Sequence, residues 1–143
     1  MIKTNVYMNF NGNCEEAFTH YKNVFGKEIS FIYRYKDVPS EQAIPEHLAE
    51  KLMHISIQLS EETMLMGADV APEFGQTANF GNNISIYVDA ENKDEADRIF
   101  AGLSDNGTIT MPIQNTFWGA YFGACIDKFG VNWMVSTQIE SSN

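Results

Sequence analysis

Polar and apolar residues alternate in two stretches of this chain, in the same phase, and each stretch runs into an amphipathic helical pattern. The first stretch reads Asn5, Val6, Tyr7, Met8, Asn9, Phe10, and the second, 78 positions on, reads Asn83, Ile84, Ser85, Ile86, Tyr87, Val88. Successive side chains of a strand point to opposite faces, so Val6, Met8, Phe10 and Ile84, Ile86, Val88 are predicted to pack under helices while the alternate set faces away. The helices follow at once. Residues 13–26 gather Ala17, Phe18, Tyr21, Val24 and Phe25 on one side, and residues 92–104 gather Ala96, Ile99, Phe100 and Leu103. Asn13 with Glu16, and Asn92 with Glu95, have capping-box spacing, with Asn in place of the usual Ser or Thr. Gly26 is placed to stop the first helix.

Three strand-like runs follow the first helix, at 28–35, 51–59 and 63–68, and three follow the second, at 108–114, 121–126 and 132–138. Turn signals at 105–107 and 127–130 separate the later ones. Each half therefore reads β-α-β-β-β. The expectation is a single α+β domain over 1–143 made of two modules, about 1–70 and 80–143, whose strands form a cupped mixed sheet with helices outside. Residues 36–50, with two prolines and a short helix expected near 45–52, form an excursion, and the polar stretch 69–82 links the halves. Loops of this length fit either the rim of a site or a solvated connection.

The same phasing defines a candidate site. Along 51–59, Met53, Ile55, Ile57 and Leu59 share one face, and His54, Ser56 and Gln58 the other. The concave face would then carry Asn5, Tyr7, Asn9, His54, Ser56, Gln58, Asn83, Ser85 and Tyr87. In the last strand Trp133 and Val135 would pack toward the helices, leaving Met134 and Ser136 on the concave side. Hydroxyls and amides mixed with aromatic rings suit a small polar or amphipathic ligand. The alternation is equally what the solvated side of an antiparallel sheet produces.

His54 is the histidine this phasing puts on the concave face; His20 falls in the first helix and His47 in the charged excursion. Imidazole titrates near neutrality, which makes His54 the general-base candidate, although a lone His on a sheet is more often a hydrogen-bonded structural residue. The run 111–123 places Phe117, Trp118, Tyr121 and Phe122 beside Gly119 and Gly123. Trp118 and Gln114 are pocket candidates there, and a tight turn packed by aromatic core residues explains the same letters.

Composition narrows the function classes. The chain has 143 residues, 44% of them hydrophobic, enough for one core, and a formal charge of −10 that repels nucleic acid and anionic membrane. The N-terminus turns polar within a few residues and no run reaches membrane-spanning length, so a cytoplasmic location is expected. Cys14 and Cys125 have neither zinc-site nor disulfide spacing. Gly-rich phosphate loops, G-x-G-x-x-G, G-x-S-x-G and H-E-x-x-H do not occur.

The repeated module, the opening YMNFNGNCEEAFTHYKNVFG, the middle MHISIQL followed by LMGAD, and the closing TFWGAYFGACIDKFGVNWM resemble the PhnB-like branch of the vicinal oxygen chelate superfamily. The closing stretch is the specific part; the opening is shared more loosely with glyoxalase and fosfomycin-resistance relatives. The resemblance implies paired modules curled into a glyoxalase-like cup, usually in a homodimer. In enzymes of that superfamily His, Glu or Gln residues on the first and last strands of the modules hold a divalent metal. The corresponding positions here are about Asn5 or Tyr7, Leu65, Asn83 and Met134, none a carboxylate or imidazole. No metal and no cofactor are therefore expected. Members of the branch often carry a ubiquinone-pathway methyltransferase label, but this chain shows no nucleotide-binding βαβ unit for S-adenosylmethionine.

The expected function is metal-independent binding of a small molecule, with ligand contacts from Tyr7, Asn9, Ser56, Ser85, Tyr87, Gln114, Trp118 and Met134, in a homodimer without nucleic-acid or membrane partners. One rival is a metal-independent enzyme with His54 as general base and Tyr7 or Tyr87 orienting substrate. Another is a dimeric interaction protein with a vestigial pocket.

Overall fold

The computed structural model describes residues 1–39 and 43–139. Part of the expected excursion at 36–50 thus lies outside the described residues. The chain divides into two compact units, Met1–Asn79 and Phe80–Asn143.

The first unit runs β1 (Val6–Phe10), α1 (Cys14–Phe25), β2 (Ile29–Arg34), α2 (Glu46–Ala49), β3 (Leu52–Gln58) and β4 (Met64–Asp69). Its sheet has the order β1-β4-β3-β2, with β1 parallel to β4 and the other pairs antiparallel. The second unit runs β5 (Ile86–Asp89), α3 (Lys93–Ser104), β6 (Thr108–Asn115), β7 (Ala120–Ile126) and β8 (Asn132–Gln138). Its order, β5-β8-β7-β6 with β5 parallel to β8, repeats the first. The expected α+β fold of two β-α-β-β-β modules is present, each module building its own four-stranded mixed sheet. Among the described residues no helix is long and apolar enough to cross a membrane.

Each helix buries the side its sequence marked as apolar. Ala17, Phe18 and Tyr21 of α1 are fully buried, as are Phe10, Ile55 and Ile57 of the sheet and, within 1%, Leu65. Ala96, Ile99, Phe100 and Leu103 of α3 are buried, with Trp133 and Val135 of β8. Each large apolar side chain so enclosed stabilises the fold by about 1.5–3 kcal/mol. In both units a strand glycine lets a helix phenylalanine come close. A Cβ at Gly67 would lie 2.7 Å from the Phe18 ring, and one at Gly123 would lie 3.0 Å from the Phe100 ring and 2.8 Å from Ile113.

The two helix starts differ. At α3 the Asn92 side chain accepts from the Glu95 amide at 2.8 Å, while the Glu95 carboxylate reaches back to the amide of Glu91 at 3.1 Å. At α1 the expected box is missing, because Asn13 makes no side-chain cap. Asp69, at the end of β4, supplies the cap from a distance. Its Oδ1 accepts from the amides of Gly12 and Cys14 at 3.0 and 2.9 Å, and its Oδ2 from the amide of Leu52 at 2.9 Å. A buried carboxylate at a helix N-terminus also meets the positive end of the helix dipole. Gly26 stops α1 in the left-handed conformation, φ 62°, as its position predicts.

Three other details depart from the pattern. Ile84 stands before β5 and is 76% exposed, so the inward set of that strand is Ile86 and Val88, both half-buried. Met53 is exposed and Leu52 takes the inward place, because the β2–β3 register slips there: Tyr33 pairs His54, whereas the next residue, Arg34, pairs Leu52. The extra residue of such a bulge reverses the phase on one side of it. Around the excursion, a helix at Glu46–Ala49 replaces the longer one expected, and His47 pairs with Glu73 of a 3-10 turn at Pro72–Phe74. The side chain of Asn11 then bonds both backbone groups of Ala78, holding the end of the 69–79 stretch against the β1–α1 turn.

Candidate ligand-binding faces

In the first unit, the sheet face opposite α1 carries one row of side chains set by strand register. Tyr7 of β1 lies beside Met66 of β4, Met66 beside Ser56 of β3, and Ser56 beside Phe31 of β2. One step along, His54 stands opposite Tyr33. Tyr7 Oη and His54 Nδ1 are 3.2 Å apart, with ring centroids at 5.6 Å. Phe31 meets Tyr33 edge-on at 4.5 Å and lies 6.0 Å from the imidazole. Tyr7, Phe31 and Tyr33 each keep nearly half of their surface open, at 47%, 45% and 45%. Partial burial, and secondarily the neighbouring Cys14, push the Tyr7 phenol above its ordinary range, so it keeps its proton near neutral pH.

Asn9 is exposed on the same face, beside Ala68. Ser56 is buried, at 2% exposure, under its neighbours in the row. Gln58 instead closes the β3–β4 turn, its Nε2 donating to the Ser60 carbonyl. Asn5 is likewise occupied, its Oδ1 accepting from the Met64 amide at 3.0 Å. Phe31 and Tyr33 were not singled out from the sequence. Their alternation within 28–35 was a usable signal, but a register shift between Ile29 and Phe31 hides which set faces which way.

In the second unit the corresponding face is built around Phe122, which lies beside Ser136 on one strand and Gln114 on the other. Its ring is 6.4 Å from Tyr87 and 5.8 Å from Trp118, and Trp118 meets Phe117 edge-on at 5.0 Å. Tyr87 sits beside Met134. Tyr87, Gln114, Trp118 and Met134 thus share one neighbourhood, while Ser85 is half-buried just before β5 and Asn83 is exposed farther back. Gly123 belongs to core packing under Phe100, and Gly119, with φ 89°, belongs to the turn where Thr116 bonds the Ala120 carbonyl. Phe122, the centre of the group, was visible in the sequence only as one of four clustered aromatics.

The registers also redefine the repeat. Val6 pairs Leu65 as Ile86 pairs Trp133, and Tyr7 pairs Met66 as Tyr87 pairs Met134. The structural offset between β1 and β5 is therefore 80, two residues more than the alternation along the sequence suggests. Each unit places a tyrosine beside a methionine on its parallel strand pair, at the positions where the resemblance implies metal ligands. Leu65, buried on the helix side, drops out in favour of Met66. A phenol and a thioether per unit form a poor set for a hard or borderline divalent cation. Among the described residues no three His, Cys, Asp or Glu side chains lie close enough to hold a metal ion.

S-adenosylmethionine fits no better. Nucleotide-type cofactors use open amides at a strand-to-helix turn. Here the amides of Gly12 and Cys14 at the start of α1 are taken by the Asp69 carboxylate, and that of Glu95 in α3 by Asn92.

Two mixed sheets, each with its first strand parallel to its fourth, define a glyoxalase-like α+β protein. The model of the family described as 3-demethylubiquinone-9 3-methyltransferase matches residues 2–136, and the chain belongs to that family. Protein PA1353 of Pseudomonas aeruginosa is similar over 98% of this chain and 100% of its own, at 32% identity and TM-score 0.85. A PhnB protein of Bacillus cereus follows at 28% identity and TM-score 0.74, over 95% and 99% of the two chains. A glyoxalase/bleomycin resistance protein/dioxygenase family enzyme of Burkholderia phytofirmans, 10% identical over 94% and 97% at TM-score 0.62, shares the fold alone. The PhnB-like resemblance read from the sequence agrees with these matches.

Proposed function

We propose that this chain is a small-molecule binding protein that works without a metal. The observation that carries this reading is the Tyr7–His54 hydrogen bond on an open sheet face among Phe31 and Tyr33. Two hydrogen-bonding groups within an aromatic surface supply what small-ligand sites need, apolar area plus a few placed polar groups. Asn9 completes the first face, while Ser56, buried beneath its neighbours, supports it without reaching a ligand; Ser85, Tyr87, Gln114, Trp118 and Met134 supply the second. The two modules act as one glyoxalase-like domain, the protein is a homodimer, and it works in the cytoplasm with neither nucleic acid nor membrane as partner.

A thermal-shift screen of small polar and aromatic compounds, followed by calorimetry and mass spectrometry, tests the reading. Compounds that bind stoichiometrically and are recovered unchanged are expected. Turnover that His54→Gln abolishes would establish the general-base enzyme instead, and one stoichiometric zinc, nickel or manganese per purified chain would overturn metal independence. The interaction-protein reading has one observation of its own, the 98% exposure of Phe117 at the β6–β7 turn. An inert, unliganded protein throughout the screen would favour it. Sedimentation equilibrium decides between dimer and monomer.

A further inference from the structure

The hydrogen bond between Tyr7 and His54 has a direction, and the direction selects ligands. Only one proton lies between Oη and Nδ1 at 3.2 Å. A phenol is a good donor and a weak acceptor, whereas the bare nitrogen of a neutral imidazole is a strong acceptor. Tyr7 therefore donates, and the upward push on its phenol keeps that proton on oxygen. A neutral imidazole holds one N–H, so when Nδ1 accepts, the hydrogen resides on Nε2. This tautomer is assigned from the relative donor and acceptor strengths of phenol and imidazole across that contact. Among the described residues no second hydrogen bond of the His54 ring competes for Nε2.

The surroundings narrow the partner further. The row around His54 consists of Tyr7, Phe31, Tyr33, Ser56 and Met66, none of them charged. The cations at and just beyond the end of β2 are occupied by carboxylates: Arg34 grips both oxygens of Glu15 at 3.1 and 2.6 Å, and Lys36 holds Glu50 at 2.7 Å. Among the described residues nothing in this row neutralises an anion, and the protein's net charge of −10 repels one. An ammonium would face the N–H rather than a lone pair. Flat rings meet Phe31 and Tyr33 on favourable terms.

We infer that the first unit's face selects a neutral aromatic carbonyl compound, its oxygen accepting from His54 Nε2–H and its ring lying against Phe31 and Tyr33. The inference rests on the binding reading above and makes His54 a hydrogen-bond donor to ligand, in place of a base.

The test uses the full chain with 15N-labelled histidine and three probes sharing one ring system: 1-naphthamide, 1-naphthoate and 1-naphthylmethylamine. His54 is assigned in the spectrum by its loss in His54→Gln. A protonated-type shift at Nε2 and a bare-type shift at Nδ1 are expected in the free protein, with Nε2 moving on addition of 1-naphthamide. The amide should bind at least ten-fold tighter than the amine and tighter than the carboxylate. In Tyr7→Phe, with fold checked by circular dichroism, the Nδ1–H tautomer becomes accessible; equal mixing of the two forms halves the donating population, so the affinity for 1-naphthamide should fall about two-fold and the two ring-nitrogen shifts should move toward each other. A proton on Nδ1, or equal affinity for amide and amine, overturns the inference while leaving the binding reading standing. Binding of none of the three also overturns the inference, while the binding reading falls only if the broad thermal-shift screen finds no ligand.

Discussion

The two units share a topology and differ in what they place on it. Strand order, the parallel first pair, the helix phenylalanine over a strand glycine, and the Tyr–Met pair recur. The polar devices do not. The first unit closes its helix start with Asp69, 55 and 57 residues from the amides of Cys14 and Gly12, and carries a phenol–imidazole bond on its open face. The second closes its helix with Asn92, three residues from its partner, and stacks rings around Phe122. Backbone architecture depends on many weak apolar contacts and tolerates divergence; a hydrogen-bonding device depends on single side chains and does not.

The largest expected effect lies at the two caps. Asp69→Ala strands two buried backbone amides and a third that is part-buried, and at about 1–3 kcal/mol for each unsatisfied buried group it should cost upwards of ~2 kcal/mol in urea unfolding. Asn92→Ala removes one local cap and should cost about 1 kcal/mol. Equal losses would break the contrast between long-range and local capping.

Gly67→Ala and Gly123→Ala probe what the units share. Each new Cβ falls within 3 Å of a helix ring or a neighbouring residue, so both should destabilise by about 1–3 kcal/mol. A cost at one site and none at the other would mean that the helices are seated differently.

On the open faces the tyrosines should part company. Tyr7→Phe should weaken binding of a carbonyl ligand about two-fold by freeing the His54 tautomer, whereas Tyr87→Phe, whose neighbours are rings and a thioether, should leave it unchanged. Competition calorimetry on both variants reads the difference.

The least visible effect at neutral pH concerns the thiols. Burial, and then Asp69, push the Cys14 thiol strongly up, and burial with Asp127 pushes Cys125 up to about 11. Both folded values lie above the unfolded one, near 8.5. The stability linked to the neutral thiols is therefore full below about pH 8.5 and declines as the pH rises past it. Folded protein at pH 8 should resist a disulfide reagent at both cysteines and react at both once unfolded. Fast labelling of Cys125 alone would show that the second unit opens more readily.

Much of the fold was legible because its signals are local. The apolar stripe Ala17, Phe18, Tyr21, Val24 needs only the helix period, and Val6, Met8, Phe10 only the strand period; both face inward as read. The candidate site was legible in part. His54, Tyr7 and Ser56 fell on one face through simple alternation, but Phe31 and Tyr33 were hidden by a register shift, and Gln58 and Asn5 proved to be closing a turn and a strand end. Asp69 stood in the sequence as the first residue of a polar linker, and nothing local marked it as the cap of α1.

The sequence by itself determined the element order, the inward set of each helix and most strands, and the twofold β-α-β-β-β repeat, since these follow from periods of 2 and 3.6 residues along the chain. Tertiary structure decided register. The bulge at Met53, the 80-residue offset that equates Tyr7 with Tyr87, the reach of Asp69 to Cys14 and the meeting of Tyr7 with His54, 47 residues away, all depend on which strands pair and where they slip. Pairing is chosen by contacts between distant segments, and no window of sequence contains both partners.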